Sequence, residues 1–135
     1  ENRIWSVPPE RRKDQKPYPH RVPLSDQAIE LLKSIEKKGD HIFGVSEESL
    51  GSRYTLTKLL KRLTGTTATM HGFRSTFRDW AAENGVPDIV AEKCLMHTTG
   101  NAVVQAYQRS DLLEQRREVM QQWADAVFSG VSSAA

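Results

Sequence analysis

Two hydrophobic periodicities alternate along this chain, one short and strand-like, the other helical. Asn2 to Val7 alternates loosely through Ile4, Trp5 and Val7 and stops at Pro8-Pro9, the pattern of a strand and its terminator. After a polar stretch, Arg21-Val22-Pro23-Leu24 reads as a short return strand, so the two predict a β-hairpin with a long basic loop. Ser25 and Asp26 are N-cap residues for a helix with Ala28, Leu31, Leu32 and Ile35 on its inner face, closed by Gly39. His41-Ile42-Phe43 is expected to form a short third strand or an extended connection. A second helix is expected from about Ser49 to Leu63, burying Leu56, Leu59, Leu60 and Leu63, followed by a turn around Gly65. A third spans Met70 to Asn84 with Phe73, Phe77, Trp80 and Ala81 inward, ending at Gly85. Pro87 opens a fourth helix that ends near His97. After the Thr98-Thr99-Gly100 break, a short helix from about Asn101 carries Val103, Val104 and Tyr107. Ser110-Asp111 then caps a final amphipathic helix to about Phe128, with Leu112, Leu113, Met120, Trp123 and Val127 inward. The three tryptophans, Trp5, Trp80 and Trp123, are most simply core residues.

The predicted class is therefore α+β and mainly α-helical, with a small β-hairpin or three-stranded sheet near the N-terminus. At 135 residues the chain is the size of one domain, here placed at 1–128, with a flexible tail at 129–135. Composition adds little to that picture: 38% hydrophobic and 27% charged residues describe an ordinary soluble globule. No apolar run approaches the roughly 18 residues needed to span a bilayer, and no signal-peptide pattern opens the chain. One cysteine, Cys94, excludes an internal disulfide and fits a reducing, cytoplasmic setting. It lacks the companions a zinc site needs, so no metal and no cofactor is expected.

Charge changes the picture through its distribution. The net charge of +2 says little, but Arg53 to Arg78 holds Arg53, Lys58, Lys61, Arg62, Arg74 and Arg78 with no carboxylate between them. A second cluster, Arg11, Arg12, Lys13 and Lys16, is interrupted only by Asp14. One basic face meeting a polyanion accounts for that asymmetry, and Arg11, Arg12, Lys58, Lys61 and Arg62 are the candidate DNA-backbone contacts. Solvated helix faces with no partner are the alternative.

The residues able to carry chemistry occur in order: Lys13 in the hairpin loop, His71 and Arg74 three apart at a helix start, then His97, and ten residues later Tyr107. Helical spacing puts His71 and Arg74 on neighbouring turns of one face. Such a set suits phosphoryl transfer at a DNA backbone without metal. A phosphodiester resists attack because its oxygens are already anionic, and fixed guanidinium and imidazole N–H groups stabilise the further charge of the transition state. A tyrosine hydroxyl becomes a competent nucleophile when neighbouring cations lower the cost of its ionisation. A lysine ammonium can protonate the departing sugar oxygen. Exchange of one phosphoester for another conserves the bond, so resealing needs no ATP. Singly, each residue has an ordinary reading: a solvated loop lysine, a helix-start histidine, an arginine pairing with Asp79 or Glu83, a helix-capping His97, a core-edge tyrosine. Only their joint, ordered occurrence favours chemistry.

That ordered set, with "VPPERRK" at 7–13, "HRVPLS" at 20–25, "HGFRSTFRDWA" at 71–81 and "LMHTTGNAVVQAYQRSDLLEQRREVMQQWAD" at 95–125, resembles the catalytic domain of tyrosine recombinases, in particular the P4-like prophage integrases. The resemblance covers nearly the whole chain. It implies a DNA breaking-and-rejoining fold and site-specific integration or excision of a mobile element through a 3′-phosphotyrosine. Lys13 matches the family's general acid and His71 its first histidine. Arg74 matches the second catalytic arginine, His97 the His-or-Trp phosphate donor, and Tyr107 the nucleophile. The family's first arginine belongs to a segment that would precede Glu1, so the chain reads as part of a longer protein, and this part alone is expected to be weak or inactive.

The same resemblance implies double-stranded DNA attachment sites as partner, a homotetramer on DNA, exchange of a carboxy-terminal segment between protomers and an accessory DNA-bending protein. Three competing readings are a type IB topoisomerase-like activity, which needs no paired sites, a DNA-binding module without catalysis, and a structural or regulatory helical protein, which predicts no salt-dependent DNA affinity.

Overall fold

In this computed structural model the described residues are 2–12, 16–36, 42, 53–97 and 110–132. Strands β1 (Ile4–Val7) and β2 (His20–Pro23) form an antiparallel pair in the register Ile4 to Pro23, Trp5 to Val22, Ser6 to Arg21 and Val7 to His20. Pro9–Arg11 makes a single 3-10 turn as the chain leaves β1. Among the described residues five α-helices follow: α1 (Asp26–Ser34), α2 (Arg53–Thr64), α3 (Gly72–Glu83), α4 (Asp88–Cys94) and α5 (Leu113–Ser132). The class is α+β, mostly helical, and the sheet among the described residues is two-stranded. Of the expected third strand at 41–43 only Ile42 is described, and the expected short helix around Tyr107 lies outside the described residues, as does Gly39.

Local signals explain several boundaries. Ser25 caps α1, its Oγ accepting the Ala28 N–H at 3.2 Å. Gly65 and Gly85 end α2 and α3 with φ of 64° and 70°, left-handed conformations that glycine adopts without a Cβ clash. Pro87 stands at the N-cap of α4, one position before the first turn.

The core is built by three helices. Phe77 and Ala81 of α3, Val90 and Ala91 of α4 and Val119 of α5 are buried, with Trp80, Ile89, Leu95, Leu112, Met120 and Trp123 packed around them. Phe77 meets the Trp123 ring edge-on at 5.7 Å, and Trp80 lies 5.2 Å from Trp123. Each such ring pair adds about 0.5–1.5 kcal/mol beyond its buried area. Helix α5 also covers β2 and α1, joining the hairpin to the helical core. Its link to α1 is polar: Gln121 accepts the Asp26 N–H at 2.9 Å, and Gln27 donates to Asp125 at 2.6 Å. Among the described residues no helix is long and apolar enough to cross a membrane.

Several expected core positions prove exposed. Leu56, Leu59 and Leu63 of α2 are 48%, 38% and 73% exposed, although their spacing marks one face; only Leu60 is half-buried. Amphipathic spacing reports that a face favours cover, and no extensive packing partner for this face occurs among the described residues. Phe73 is 53% exposed although it lies one turn before Phe77 on the same row of α3, in the first turn of the helix. Leu31 is exposed, and α1 meets α5 instead through Gln27, which accepts from Gln121 at 3.0 Å. Trp5 is exposed because α5 covers β2 while the middle of β1 faces outward. Val127 lies where α5, which continues to Ser132 instead of ending near Phe128, has run past the core.

Candidate active site

Helix α3 begins at Gly72, immediately after His71, with Gly72 N–H held by the Thr69 carbonyl and hydroxyl, both at 3.0 Å. No acidic residue occupies the first turn of α3, so its N-terminal dipole is left uncompensated by a side-chain carboxylate. His71 is exposed there, and its carbonyl accepts the Arg74 N–H at 3.0 Å, which places Arg74 one turn further on.

Arg74 turns toward the end of α4. One of its terminal nitrogens donates to the Leu95 carbonyl and lies 2.7 Å from His97 Nε2. The alternative partners considered for Arg74, Asp79 and Glu83, are not the ones it meets. His97 in turn places Nδ1 2.7 Å from a Glu92 carboxylate oxygen, and its ring is 46% exposed while Glu92 is only 18% exposed. The other Glu92 oxygen forms an ion pair with Arg78 at 3.1 Å, and Arg78 also approaches Asp88 at 3.5 Å. Arg74 and His97 are thus joined across two helices into one cationic and proton-bearing cluster.

The backbone delivering His97 is a Schellman turn. Leu95 is the C-cap of α4, Met96 follows with φ of 55°, and His97 N–H returns to the Glu92 carbonyl at 2.9 Å while Met96 N–H returns to Lys93 at 3.3 Å. A methionine in this left-handed position costs about 1–2 kcal/mol relative to an ordinary helical residue, so the surrounding contacts hold it there. His97 is therefore placed just past the end of α4, and the helix itself closes three residues earlier than the spacing suggested.

Lys13 and Tyr107 lie outside the described residues. The residues flanking 98–109 are nevertheless well anchored. On one side stands His97. On the other, Lys93 donates to the Ser110 carbonyl at 2.7 Å, and Arg21 of β2 binds Asp111 at 2.6 and 2.8 Å. Partial burial pushes the Lys93 ammonium below its ordinary range, opposed by the nearby Asp111 carboxylate and reinforced by Arg116.

Arg116 is the residue that pattern reading missed most completely. It sits on the inner face of α5 at 1% exposure and donates to the Arg21 carbonyl at 2.6 Å and the Asp111 carbonyl at 3.3 Å, with His20 Nε2 at 3.4 Å. Its Nε alone among the described buried side-chain polar atoms has no hydrogen-bond partner. Burial lowers its pKa and raises that of Cys94, which lies against it. The only signal available beforehand was its place among Leu112, Val119 and Trp123 on the apolar stripe, where a guanidinium is easily read as a surface residue. His20 accordingly belongs to β2 and this buried cluster.

Of the candidate DNA contacts, Arg12 donates to the Tyr18 carbonyl at 3.0 Å and covers the Tyr18 ring at 5.2 Å, tying the hairpin loop together. Arg11 is exposed in the 3-10 turn, and Lys58, Lys61 and Arg62 are exposed on α2. No group of three or more His, Cys, Asp or Glu side chains forms a metal site among the described residues.

Comparison with known proteins bears on this arrangement. The chain is 38% identical to the prophage integrase IntA of Escherichia coli (strain K12), over 91% of this chain and 31% of that protein. It is 34% identical to the integrase of Shigella phage Sf6, over 93% of this chain and 34% of that protein. To the integrase of Enterobacteria phage P4 it is 34% identical, over 78% of this chain and 26% of that protein. It therefore spans about a third of the length of these relatives. No solved structure matches it. Residues 1–114 match the phage integrase family, and the chain, with Arg74 and His97 gathered at the end of α4, belongs to that family.

Proposed function

We propose that this chain is the catalytic part of a site-specific DNA recombinase that integrates or excises a prophage or similar element. In this reading Tyr107 attacks a backbone phosphorus, displaces the 5′ oxygen and retains the strand as a 3′-phosphotyrosine. The 5′ hydroxyl of a partner strand then attacks that linkage, releases the tyrosine and restores a phosphodiester. Arg74 grips the non-bridging oxygens, His97 donates to the same phosphate, His71 assists proton transfer near the nucleophile, and Lys13 protonates the leaving oxygen.

The observation that carries this reading is the meeting of Arg74 and His97, separated by 23 positions in sequence but 2.7 Å apart in space. Two groups able to bind one anion, His97 exposed and Arg74 partly so, suit a phosphate of double-stranded DNA. Exposed Arg11, Lys58, Lys61 and Arg62 supply backbone contacts in the same reading, with Arg12 acting from the hairpin loop. Attachment sites, a homotetramer on DNA and an accessory bending protein complete the proposal for the full-length protein.

The test is trapping on nicked suicide DNA, in which the cleaved fragment diffuses away and rejoining is blocked. The full-length protein should form a denaturant-stable adduct, and Tyr107→Phe should lose it by at least about a hundredfold, as expected for removal of a covalent nucleophile. Equal adduct in the variant would exclude Tyr107 as nucleophile. Relaxation of supercoiled DNA without exchange between paired sites would replace recombination with a topoisomerase reading.

A further inference from the structure

Glu92 has no place in the chemistry described so far, yet it holds His97 in two ways. Its backbone carbonyl takes the His97 N–H at 2.9 Å, and its carboxylate takes Nδ1 at 2.7 Å. Its second oxygen is held by Arg78 at 3.1 Å, which fixes the carboxylate plane. On the far side of the ring, Nε2 faces Arg74 at 2.7 Å. An ionised carboxylate only accepts and a guanidinium only donates. Both neighbours therefore select the same neutral tautomer, with the proton on Nδ1 and the lone pair on Nε2.

We propose that Glu92 is a positioning residue for the recombinase reaction: it fixes the ring plane and the Nδ1–H of His97, so that Nε2 is the nitrogen turned toward Arg74, accepting from it in the free protein and donating to the phosphate when the ring carries a second proton in the DNA complex. This rests on the recombinase reading for its consequence, although the tautomer itself does not. A carboxylate is required at this position because two donors, Arg78 and His97, must be accepted at once. An amide supplies one acceptor and one donor. In Glu92→Gln the amide oxygen stays with the charged Arg78, since hydrogen bonds to a charged partner are the stronger ones. The amide N–H₂ then faces Nδ1 and drives the ring proton to Nε2, where it opposes the Arg74 N–H.

Two measurements test this. In the full-length protein, nitrogen NMR of labelled histidine, assigned by loss of the signal in His97→Asn, should show His97 with its proton on Nδ1. The same signal should invert to Nε2–H in Glu92→Gln and return to Nδ1–H in the double variant Arg78→Ala/Glu92→Gln, where the amide is free to rotate. Single-turnover cleavage of suicide DNA should fall about 10- to 100-fold in Glu92→Gln, the size typical of losing a group that orients a reactive histidine or ligand. DNA affinity should stay within about threefold. Thermal melting of each variant identifies any that fails to fold, and the wild-type tautomer decides the claim without a variant. His97 protonated on Nε2 in the wild type overturns the proposal, as does an unchanged tautomer and cleavage rate in Glu92→Gln. Absence of a Tyr107 adduct in the wild type removes the recombinase reading instead, leaving the NMR result to stand on its own.

Discussion

Helix α2 and the α3–α4–α5 unit carry similar amphipathic patterns and reach opposite ends. In the three-helix unit the apolar faces close on one another through Phe77, Ala81, Val90, Ala91 and Val119. In α2, Leu56, Leu59 and Leu63 remain exposed beside exposed Lys58, Lys61 and Arg62. The difference teaches that periodicity measures a demand for cover, whereas tertiary contact decides whether the demand is met. It also separates two jobs: the three-helix unit holds Arg74 and His97 still, and α2 offers a basic, loosely held surface.

The largest expected effect tests the rigid side. Phe77→Ala removes the ring that meets both Trp80 and Trp123, and should cost about 3–5 kcal/mol in urea unfolding. A loss below about 1 kcal/mol would mean that this unit is no better packed than α2. Next comes Arg116→Ala, which strands the carbonyls of Arg21 and Asp111 and should cost about 3 kcal/mol. Arg116→Met, which fills the same space without a buried charge, should recover most of that loss in the same measurement. At the small end, Leu63→Gln on α2 should change stability by no more than about 0.5 kcal/mol, as for a surface site. A loss of 2 kcal/mol or more there would show that α2 has a cover of its own and would dissolve the contrast.

Much of the fold was legible in advance because its signals are local. Ser25 announced α1, Gly65 and Gly85 announced helix ends, and Pro8-Pro9 announced the end of β1. The inward rows of α3 and α5 were read well at Phe77, Ala81, Met120 and Trp123. What escaped was tertiary. Trp5 looks like core on composition, but a two-stranded sheet covered at β2 leaves it outside. Arg116 looks like surface until β2 is known to lie across α5. In the candidate site, Arg74 and His97 could be named from order and flanks. Glu92 could not, since its importance arises only when Arg78 and a returning His97 both converge on it. Met96 in a left-handed conformation gave no warning, because glycine is the residue that normally advertises such a turn.

The Schellman turn makes α4 work as a ruler. Each residue of an α-helix advances the chain by about 100° around its axis. One residue inserted or deleted between Pro87 and Leu95 would therefore swing the imidazole about a quarter-turn away from the guanidinium, however well the altered helix packed. Substitutions along the outer side of α4 are tolerable under this constraint, whereas a change in its length is not.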